Sequence, residues 1–367
     1  MAVPQSNGKT VLITGINGYI AGVLGQLLLT KGYSLRGTTR RAASVEPLLN
    51  GAYAPYKNRI EIFEVPDMTK SGAFDEAVRG VDGIFHTASP INFDLTDFDD
   101  VVPVAVAGNE TLLGSALEAG PQLTSVVVTS STIAVTNPKE EPEYAFTEKD
   151  FASAALEAAI KNKEAGQPTP AGVLYGASKT ASEQALWKFR DTHKPSFSIT
   201  AINPSVVFGP PVVLASDPKQ LNETLRPIYA LVSGEAKTVP PTIGSGSFVD
   251  VRDVALEHVW AYEHPAEADG QRYIACAGKG SFQGVADILR YHYKGTPIGD
   301  RIAAGNPGEG YVGYNKETGA VSNAQYAPGT VRIDGTKAEK AMGFKYIPLE
   351  QSIVDTARVF ETYFKTA

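Results

Sequence analysis

The chain has 367 residues, 43% of them hydrophobic and 20% charged, a composition typical of a globular protein with one large or two ordinary domains. Its 33 Lys and Arg against 40 Asp and Glu give a formal net charge of −7, which argues against a nucleic-acid or anionic-membrane partner. One cysteine and five histidines without paired spacing argue against an internal disulfide and a metal site. Because we find neither an apolar leader segment nor a membrane-length apolar run, we expect a cytoplasmic protein.

The first element has the pattern of a strand, a glycine turn and a helix. Residues 10–13 form an apolar, β-branched run, and residues 23–32 follow as a helix ended by glycine. Gly15 permits a sharp turn, Gly18 lets backbone N–H groups approach a pyrophosphate, and the small Ala21 lets the helix pack closely on the sheet. A tight turn that needs glycine only for packing is the alternative, but the strand before and the helix after favour a dinucleotide-binding turn.

The second strand, at residues 34–39, ends in Arg40 and Arg41. An acidic residue at this point binds the ribose 2′-hydroxyl of NAD, whereas an arginine accommodates a 2′-phosphate. No carboxylate follows before Glu46. We therefore predict NADP(H), with Arg40 as its contact, and a solvated surface pair is the alternative.

Further strands alternate with helices along the chain. This alternation predicts an α/β fold with a doubly wound parallel sheet, and ligands then bind beyond the carboxyl ends of the strands. The predicted strands lie at residues 60–65, 83–88, 125–129 and 198–202, and the helices at about 70–79, 98–119 and 175–193.

Beyond residue 204 the alternation becomes irregular, with helices predicted near 219–234, 281–293, 334–342 and 349–364 and another opening at 250–255. We assign residues 1–204, with contributions from about 249–276, to a nucleotide-binding domain of the Rossmann type. We assign about 205–248 and 277–330 to a smaller C-terminal substrate-binding lobe, and 331–367 to C-terminal helices. We interpret residues 151–172, part surface helix and part loop, as an insertion that takes no part in catalysis.

Tyr175 and Lys179 are four residues apart in a helical run, so their side chains stand on one helix face. A neighbouring ammonium favours phenolate, which would lower the tyrosine pKa toward the range useful for proton transfer at neutral pH. An exposed pair without chemistry is the alternative. A second copy of the spacing, Tyr53 and Lys57, contains Pro55, which disfavours a regular helix there.

Four motifs in chain order carry a resemblance to a known family: Thr14-Gly15-x-x-Gly18-x-x-Ala21, Thr129-Ser130-Ser131, Tyr175-x-x-x-Lys179, and the segment 203–210. The chain resembles the extended short-chain dehydrogenase/reductases, and within them the dihydroflavonol reductase-like group, especially fungal NADPH-dependent aldehyde and ketone (carbonyl) reductases. Residues 86–90, 177–189, 221–224 and 248–255 carry the closer match. The resemblance implies an oxidoreductase that reduces a small carbonyl compound.

The same resemblance implies roles for individual residues. Tyr175 would protonate the carbonyl oxygen, Lys179 would bind the nicotinamide ribose, and Ser131, in preference to Ser130, would donate a hydrogen bond to the developing oxyanion. Asn109 is a candidate for a proton relay, with helix packing as the alternative. The implied cofactor contacts are Gly15, Asn17, Gly18, Tyr19, Ile20, Arg40, Asp67, Met68, Ala88, Ser89, Tyr175, Lys179, Pro204, Ser205 and Val207.

The implied substrate pocket draws on Phe93, Val135, Glu223 and Thr224, each of which could equally be a core residue. His86 lies inside an apolar strand, so we interpret it as a core residue, and Asp253 could cap a helix that starts near residue 254. Two other functions remain open: a nucleotide-sugar epimerase or dehydratase, and a non-catalytic NADP-binding regulator. The chain would act as a monomer or a homodimer.

Overall fold

The computed structural model describes residues 3–89 and 94–364. Its strands are β1 Thr10–Thr14, β2 Ser34–Thr39, β3 Ile60–Glu64, β4 Gly83–His86, β5 Ser125–Thr129, β6 Ala145–Phe146, β7 Ser198–Pro204, β8 Val206–Phe208, β9 Ser247–Asp250, β10 Arg272–Ala275, β11 Gly278–Lys279, β12 Val312–Tyr314, β13 Val321–Gln325 and β14 Arg332–Ile333. Its helices are α1 Tyr19–Thr30, α2 Glu46–Asn50, α3 Asp75–Val78, α4 Phe98–Leu117, α5 Ala154–Glu164, α6 Ala171–His193, α7 Arg226–Ser233, α8 Val251–Glu263, α9 Pro265–Ala268, α10 Phe282–His292, α11 Pro297–Arg301, α12 Thr336–Met342 and α13 Leu349–Phe360.

A seven-stranded sheet with the order β10-β7-β5-β4-β1-β2-β3 confirms the predicted doubly wound fold. The pairs from β7 through β5, β4, β1 and β2 to β3 are all parallel. The chain leaves β1 in one direction to β2 and returns to the other side at β4, so the strand order reverses there. Ligands of open α/β sheets bind at such a reversal, beyond the carboxyl ends of the strands.

The central strands β1, β4 and β5 are mostly apolar or β-branched because both faces of the sheet are covered. In β1, Val11, Leu12 and Ile13 are fully buried. One core cluster fills the side of the sheet that carries α3, α4 and α6; its largest members are Leu12, Phe74, Ile84, Leu112, Leu113, Leu186, Phe197 and Ile199. Burial of this kind stabilises a fold by roughly 25 cal/mol per Å² of apolar surface.

The chain forms two compact units, the first comprising residues 1–138, 148–203 and 255–273, and the second 139–147, 204–254 and 274–367. Our domain assignment differs from this division at residues 139–147, 204, 249–254, 274–276 and 331–367. The short segment 139–147 belongs to the second unit, since β6 pairs with β14. Residues 249–254 also belong to the second unit, as do the C-terminal helices that we had set apart.

The second unit is built from small sheets and amphipathic helices. A three-stranded sheet has the order β11-β9-β8, and β12 and β13 form an antiparallel pair. Phe208 of β8 packs against Phe248 of β9 and Phe282 of α10, with ring centroids 6.3 and 5.9 Å apart. Most strands of this unit have only two or three residues, which is too short for the sequence to show a period.

Several predicted helix boundaries were wrong. The long helix begins at Ala171 rather than residue 175, since Pro170 directly precedes its first turn. The helix predicted near 70–79 is only the single turn α3. The helix predicted at 219–234 separates into a 3₁₀ turn, Pro218–Gln220, and α7. Within residues 3–89 and 94–364, no helix combines the length and apolar character needed to span a membrane.

Candidate active site

The glycine turn follows β1 in the first unit and lies against the segment that follows the neighbouring strand, β4. Gly15 has φ +64°, and a Cβ atom there would lie 3.3 Å from Cα of Ala88. The hydroxyl of Thr14 accepts hydrogen bonds from the backbone N–H groups of Thr87 and Ala88, both at 3.1 Å. The chain after β4 therefore runs directly against the turn, and only glycine fits at position 15.

Helix α1 starts immediately after this turn. Its N-cap residue, Gly18, has no side chain that could accept a hydrogen bond from the first turn, which begins with Tyr19 and Ile20 and holds no acidic residue. The partial positive charge of a helix N-terminus favours an anion at such a place. This geometry fits the pyrophosphate of a dinucleotide.

Hydrogen bonds order the loop that follows β2. The hydroxyls of Thr39 and Ser44 are 2.9 Å apart, and the amide of Asn17 donates to Ser44 at 3.2 Å. Arg40 and Arg41 project from this loop and are exposed. An ordered loop with two exposed guanidinium groups can bind a phosphate.

Tyr175 lies on α6 and meets Ser131, which follows β5. The hydrogen bond to the Ser131 hydroxyl lowers the pKa of Tyr175, but burial raises it more, so the net pKa is raised. Our expectation that Lys179 brings this pKa down was wrong for this structure, because desolvation of the phenolate dominates. Tyr175 is therefore a protonated hydroxyl at neutral pH.

Lys179 is buried one helical turn beyond Tyr175, and its ammonium donates to the carbonyl of Thr129 at 3.3 Å. Burial lowers the pKa of Lys179 to about 8, and the charge of Glu183 opposes that shift. His86 is also buried, and its Nδ1 lies 2.8 Å from the Thr14 hydroxyl. Burial, with a smaller contribution from Lys179, lowers the pKa of His86 to about 4, so His86 is a neutral core residue, as we interpreted it.

The two serines after β5 have different partners. The Ser130 hydroxyl donates to the buried Glu183 carboxylate, whereas the Ser131 hydroxyl accepts from the N–H of Ile133 at 3.2 Å and bonds Tyr175. Asn109 donates through its amide to the carbonyl of Ser182 at 3.2 Å, which links α4 to α6. The geometry thus groups Ser131, Tyr175 and Lys179, and it gives Asn109 a packing contact.

Three predicted residues of the first unit, Val135, Asp67 and Met68, have contacts of their own in the structure. Val135 is fully buried, which favours the core alternative that we left open for it. Phe93 lies outside the described residues. The Asp67 carboxylate accepts from the N–H and hydroxyl of Thr69, and Met68 packs over Gly108 of α4.

Residues predicted at the cofactor or substrate also occur in the second unit. The Thr224 hydroxyl donates to the carbonyl of Val207 at 2.6 Å, so Thr224 holds β8 in place. Glu223 is exposed. Ser205, directly after Pro204, donates from both its N–H and its hydroxyl to the carbonyl of Ala275, at 2.9 and 3.1 Å.

One helix in this unit begins differently from our prediction. Asp253 lies in the first turn of α8, and its carboxylate accepts from the N–H of Ile347 at 2.8 Å, so it is not the cap that we considered. Asp250 fills that role, accepting from the N–H of Arg252 at 2.8 Å. In the part of the chain that the structure describes, no group of three or more His, Cys, Asp or Glu side chains is arranged to hold a metal.

Sequence reasoning missed two buried charges beside the site, Glu183 of α6 and Arg272 of β10. Their side chains are 3% and 5% exposed, and Oε1 of Glu183 lies 2.5 Å from Nε of Arg272. The position of Glu183, four residues after Lys179, was a signal for a shared helix face. Arg272 gave no local signal, because its partner is far away in sequence.

The model of the NAD dependent epimerase/dehydratase family matches residues 11–276. This chain belongs to that family. It is 31% identical over 362 residues to a putative NADPH-dependent methylglyoxal reductase of Candida albicans, covering 96% of this chain and 98% of that protein. It is 33% identical over 289 residues to aldehyde reductase 2 of Sporidiobolus salmonicolor, covering 78% and 82%.

A solved structure shares the fold over almost the whole chain. The yeast methylglyoxal/isovaleraldehyde reductase, crystallised with NADPH, superimposes with a TM-score of 0.80 at 29% identity and covers 98% of this chain and 100% of that one. The Rossmann-type architecture predicted from the glycine turn and the strand-helix alternation is thereby confirmed.

Proposed function

We propose that this protein reduces aldehydes or ketones to alcohols with NADPH. The observation that carries the proposal is the hydrogen-bonded pair of hydroxyls, Ser131 and Tyr175, with the ammonium of Lys179 one turn along the same helix. Similar proteins from two fungi are named as reductases of methylglyoxal and of aldehydes, which supports this substrate class. The substrate is a small carbonyl compound.

The residues of the first unit fit NADP(H). The uncapped N-terminus of α1 would hold the pyrophosphate, Arg40 would pair with the 2′-phosphate, and Lys179 would bind the nicotinamide ribose. The cofactor supplies the hydride when it is bound. Asp67, Met68, Ala88 and Ser89 follow strand ends and are proposed as further contacts, as are Pro204, Ser205 and Val207 of the second unit.

Tyr175 acts as the general acid. Because burial raises its pKa, its hydroxyl holds a proton at neutral pH and can donate it to the substrate oxygen. Ser131 donates a hydrogen bond to the same oxygen as negative charge develops there. The Lys179 ammonium then stabilises the tyrosinate that remains, and general acid catalysis of this kind contributes about 10²–10⁴-fold in rate.

A nucleotide-sugar epimerase or dehydratase is the second candidate, because the matching family model carries that description. Such an enzyme needs free basic residues for the substrate diphosphate. Residues 205–248 contain three, Lys219, Arg226 and Lys237. Arg226 already pairs with Glu235 at 2.5 Å, and Lys237 donates to the carbonyl of Gly234 at 2.7 Å. Because Arg226 and Lys237 already have these partners, the region favours the reductase over the epimerase.

The test combines cofactor and substrate choice. Purified protein is mixed with NADPH or NADH and a panel of aliphatic aldehydes, aryl ketones and β-keto esters, and the loss of nicotinamide absorbance is followed. We expect turnover of carbonyl compounds with NADPH, and no epimerised or dehydrated product when the protein is incubated with nucleoside diphosphate sugars in a parallel assay. NADPH binding without any carbonyl turnover would contradict the proposal and favour the epimerase or the non-catalytic regulator.

A matched pair of tyrosine variants then tests the catalytic assignment. Tyr175→Phe should lower kcat by about 10²–10⁴-fold with little change in NADPH affinity. Tyr53→Phe is the control, since Tyr53 is buried and its hydroxyl donates to the carbonyl of Gly22. Full turnover by Tyr175→Phe would reject the general-acid role.

The cellular setting is a further part of the proposal. The single cysteine, Cys276, is buried and free, which fits a reducing compartment such as the cytoplasm. Size-exclusion chromatography with light scattering would decide between the proposed monomer and homodimer.

A further inference from the structure

The carboxylate of Glu183 collects four partners inside the first unit. Its Oε2 accepts from the amide of Asn203 at 2.7 Å and from the hydroxyl of Ser130. Its Oε1 accepts from the indole N–H of Trp187 at 3.2 Å and pairs with Nε of Arg272 at 2.5 Å. Glu183 thus ties together α6 and the strands β7 and β10 with the residue that follows β5.

Arg272 is held just as completely. Its Nη1 donates to the carbonyls of Glu148 and Asp150, and its Nη2 donates to the carbonyl of Ala134 at 3.1 Å. The guanidinium also lies over the ring of Phe151, 4.0 Å from the centroid. A buried ion pair pays a large desolvation penalty and is often no more stabilising than apolar side chains of the same size. Stability alone is therefore a weak reason for its presence.

The ion pair contacts the proposed catalytic residues on two sides. Asn203, which donates to Glu183, also donates to the carbonyl of Ser131 at 3.1 Å. Glu183 and Lys179 line one cavity of about 20 Å³ together with Ser130. The same carboxylate therefore fixes the backbone of the oxyanion donor and places a negative charge one helical turn from the buried ammonium.

We propose that Glu183, paired with Arg272, is a positioning residue for carbonyl reduction: it holds Ser131 in place through Ser130 and Asn203 and keeps Lys179 charged. This inference rests on the proposed function. The charged and titratable groups around Lys179 include Glu183 and Tyr175 on its own helix and, on β4, His86, whose pKa the charge of Lys179 helps to lower and which is neutral at pH 7. Arg272 reaches Glu183 from β10.

The direction of the effect follows from the charges. Loss of a neighbouring anion makes an ammonium easier to deprotonate, so Glu183→Gln lowers the pKa of Lys179 below its present value of about 8. The alkaline limb of kcat/KM for NADPH, which reports groups of the free enzyme, then moves to lower pH by about one unit. Displacement of the oxyanion donor should also lower kcat by about 10–100-fold.

The experiment compares wild type, Glu183→Gln and the double variant Glu183→Gln with Arg272→Met. The double variant removes both charges, so it avoids an unpaired buried guanidinium and can be measured if the single variant does not fold. NADPH affinity by fluorescence, melting temperature and the pH profile are recorded for each. Asp287→Asn is the matched control, since Asp287 is a 3% exposed carboxylate of the second unit with bonds from Gln283, Gly308 and Tyr311.

We expect both Glu183 variants to show the lower kcat and the shifted alkaline limb while NADPH affinity stays within about threefold. Asp287→Asn should lower the melting temperature, but its pH profile of kcat/KM for NADPH should be the same as that of wild type. If the Glu183 variants lose only melting temperature, with kcat and the pH profile unchanged, the role is structural and the inference is overturned. If wild type itself reduces no carbonyl compound, the proposed function fails instead.

Discussion

Asp253→Asn should stabilise the protein at pH 8 and leave its stability nearly unchanged near pH 4. The Asp253 carboxyl is 4% exposed in the first turn of α8. Burial raises its pKa to about 7, and the charges of Asp250 and Glu339 add to the shift, whereas the N–H of Ile347 and the charge of Arg252 oppose it. The Asp253 carboxyl therefore binds its proton more tightly in the folded protein than in the unfolded chain.

The magnitude follows from linkage. The pKa is 3.8 as the reference value for the unfolded chain and about 7 in the folded protein. Because the folded pKa is raised, the contribution of this group to stability is complete below about pH 4 and is lost as pH rises through 7. Three pKa units at about 1.4 kcal/mol each set an upper limit of about 4 kcal/mol for that loss. Asn does not titrate, so the Asp253→Asn variant does not lose this stability as the pH rises.

The assay is urea unfolding of wild type and Asp253→Asn at pH 5, 6, 7 and 8. The difference in free energy of unfolding should grow with pH in favour of the variant. Asp253→Ala serves as control, because it removes the acceptor for the N–H of Ile347 and should be less stable than Asn at every pH. If the free energies of unfolding of Asp253→Asn and wild type differ by the same amount at every pH from 5 to 8, the reasoning is refuted.

Three further variants test other parts of the molecule. Arg40→Asp should raise KM for NADPH far more than for NADH, and equal effects would reject its 2′-phosphate role. Thr224→Val removes the hydrogen bond that holds β8 and should raise KM for NADPH about fivefold, the equivalent of about 1 kcal/mol; an unchanged KM would separate this bond from cofactor binding. Gly25→Ala places a Cβ 2.0 Å from the Tyr53 hydroxyl and should destabilise the fold. Gly114 lies on α4 with open space around it, so Gly114→Ala should stabilise the fold by up to about 1 kcal/mol. Thermal melting compares the two variants.

The sheet could be predicted from the sequence because its signals are local. Strand β5 is a β-branched run after its first residue, and β2 follows the helix of the glycine turn, where the dinucleotide-binding pattern requires a strand. The predicted bounds of both strands agree with the structure. The glycine turn at residues 14–22 is equally local, since the strand, the glycines and the helix that mark it follow one another directly in the chain. Such patterns need no knowledge of the rest of the chain.

The candidate site was only partly predictable. The spacing of Tyr175 and Lys179 fixed their common helix face, but it said nothing of how deeply they are buried, and burial is what reverses the expected direction of the Tyr175 pKa. Val135 follows Ser131 by four residues, yet the turn after Ser131 directs its side chain into the core. The Arg272 contact to Glu183 depends on the sheet order, which brings together residues that no short motif connects.

The ion pair between Glu183 and Arg272 also bears on the order in which the chain is made. Roughly 90 residues separate the two, and at about 5–20 residues per second a ribosome needs several seconds to add them. During that interval α6 and β7 can pack, but the carboxylate of Glu183 lacks its guanidinium partner and has only Lys179, one turn away on α6, as a neighbouring cation. Edge strand β10 supplies the missing charge late, so the nascent protein completes the interior beside Ser130 only after most of its length has been synthesised.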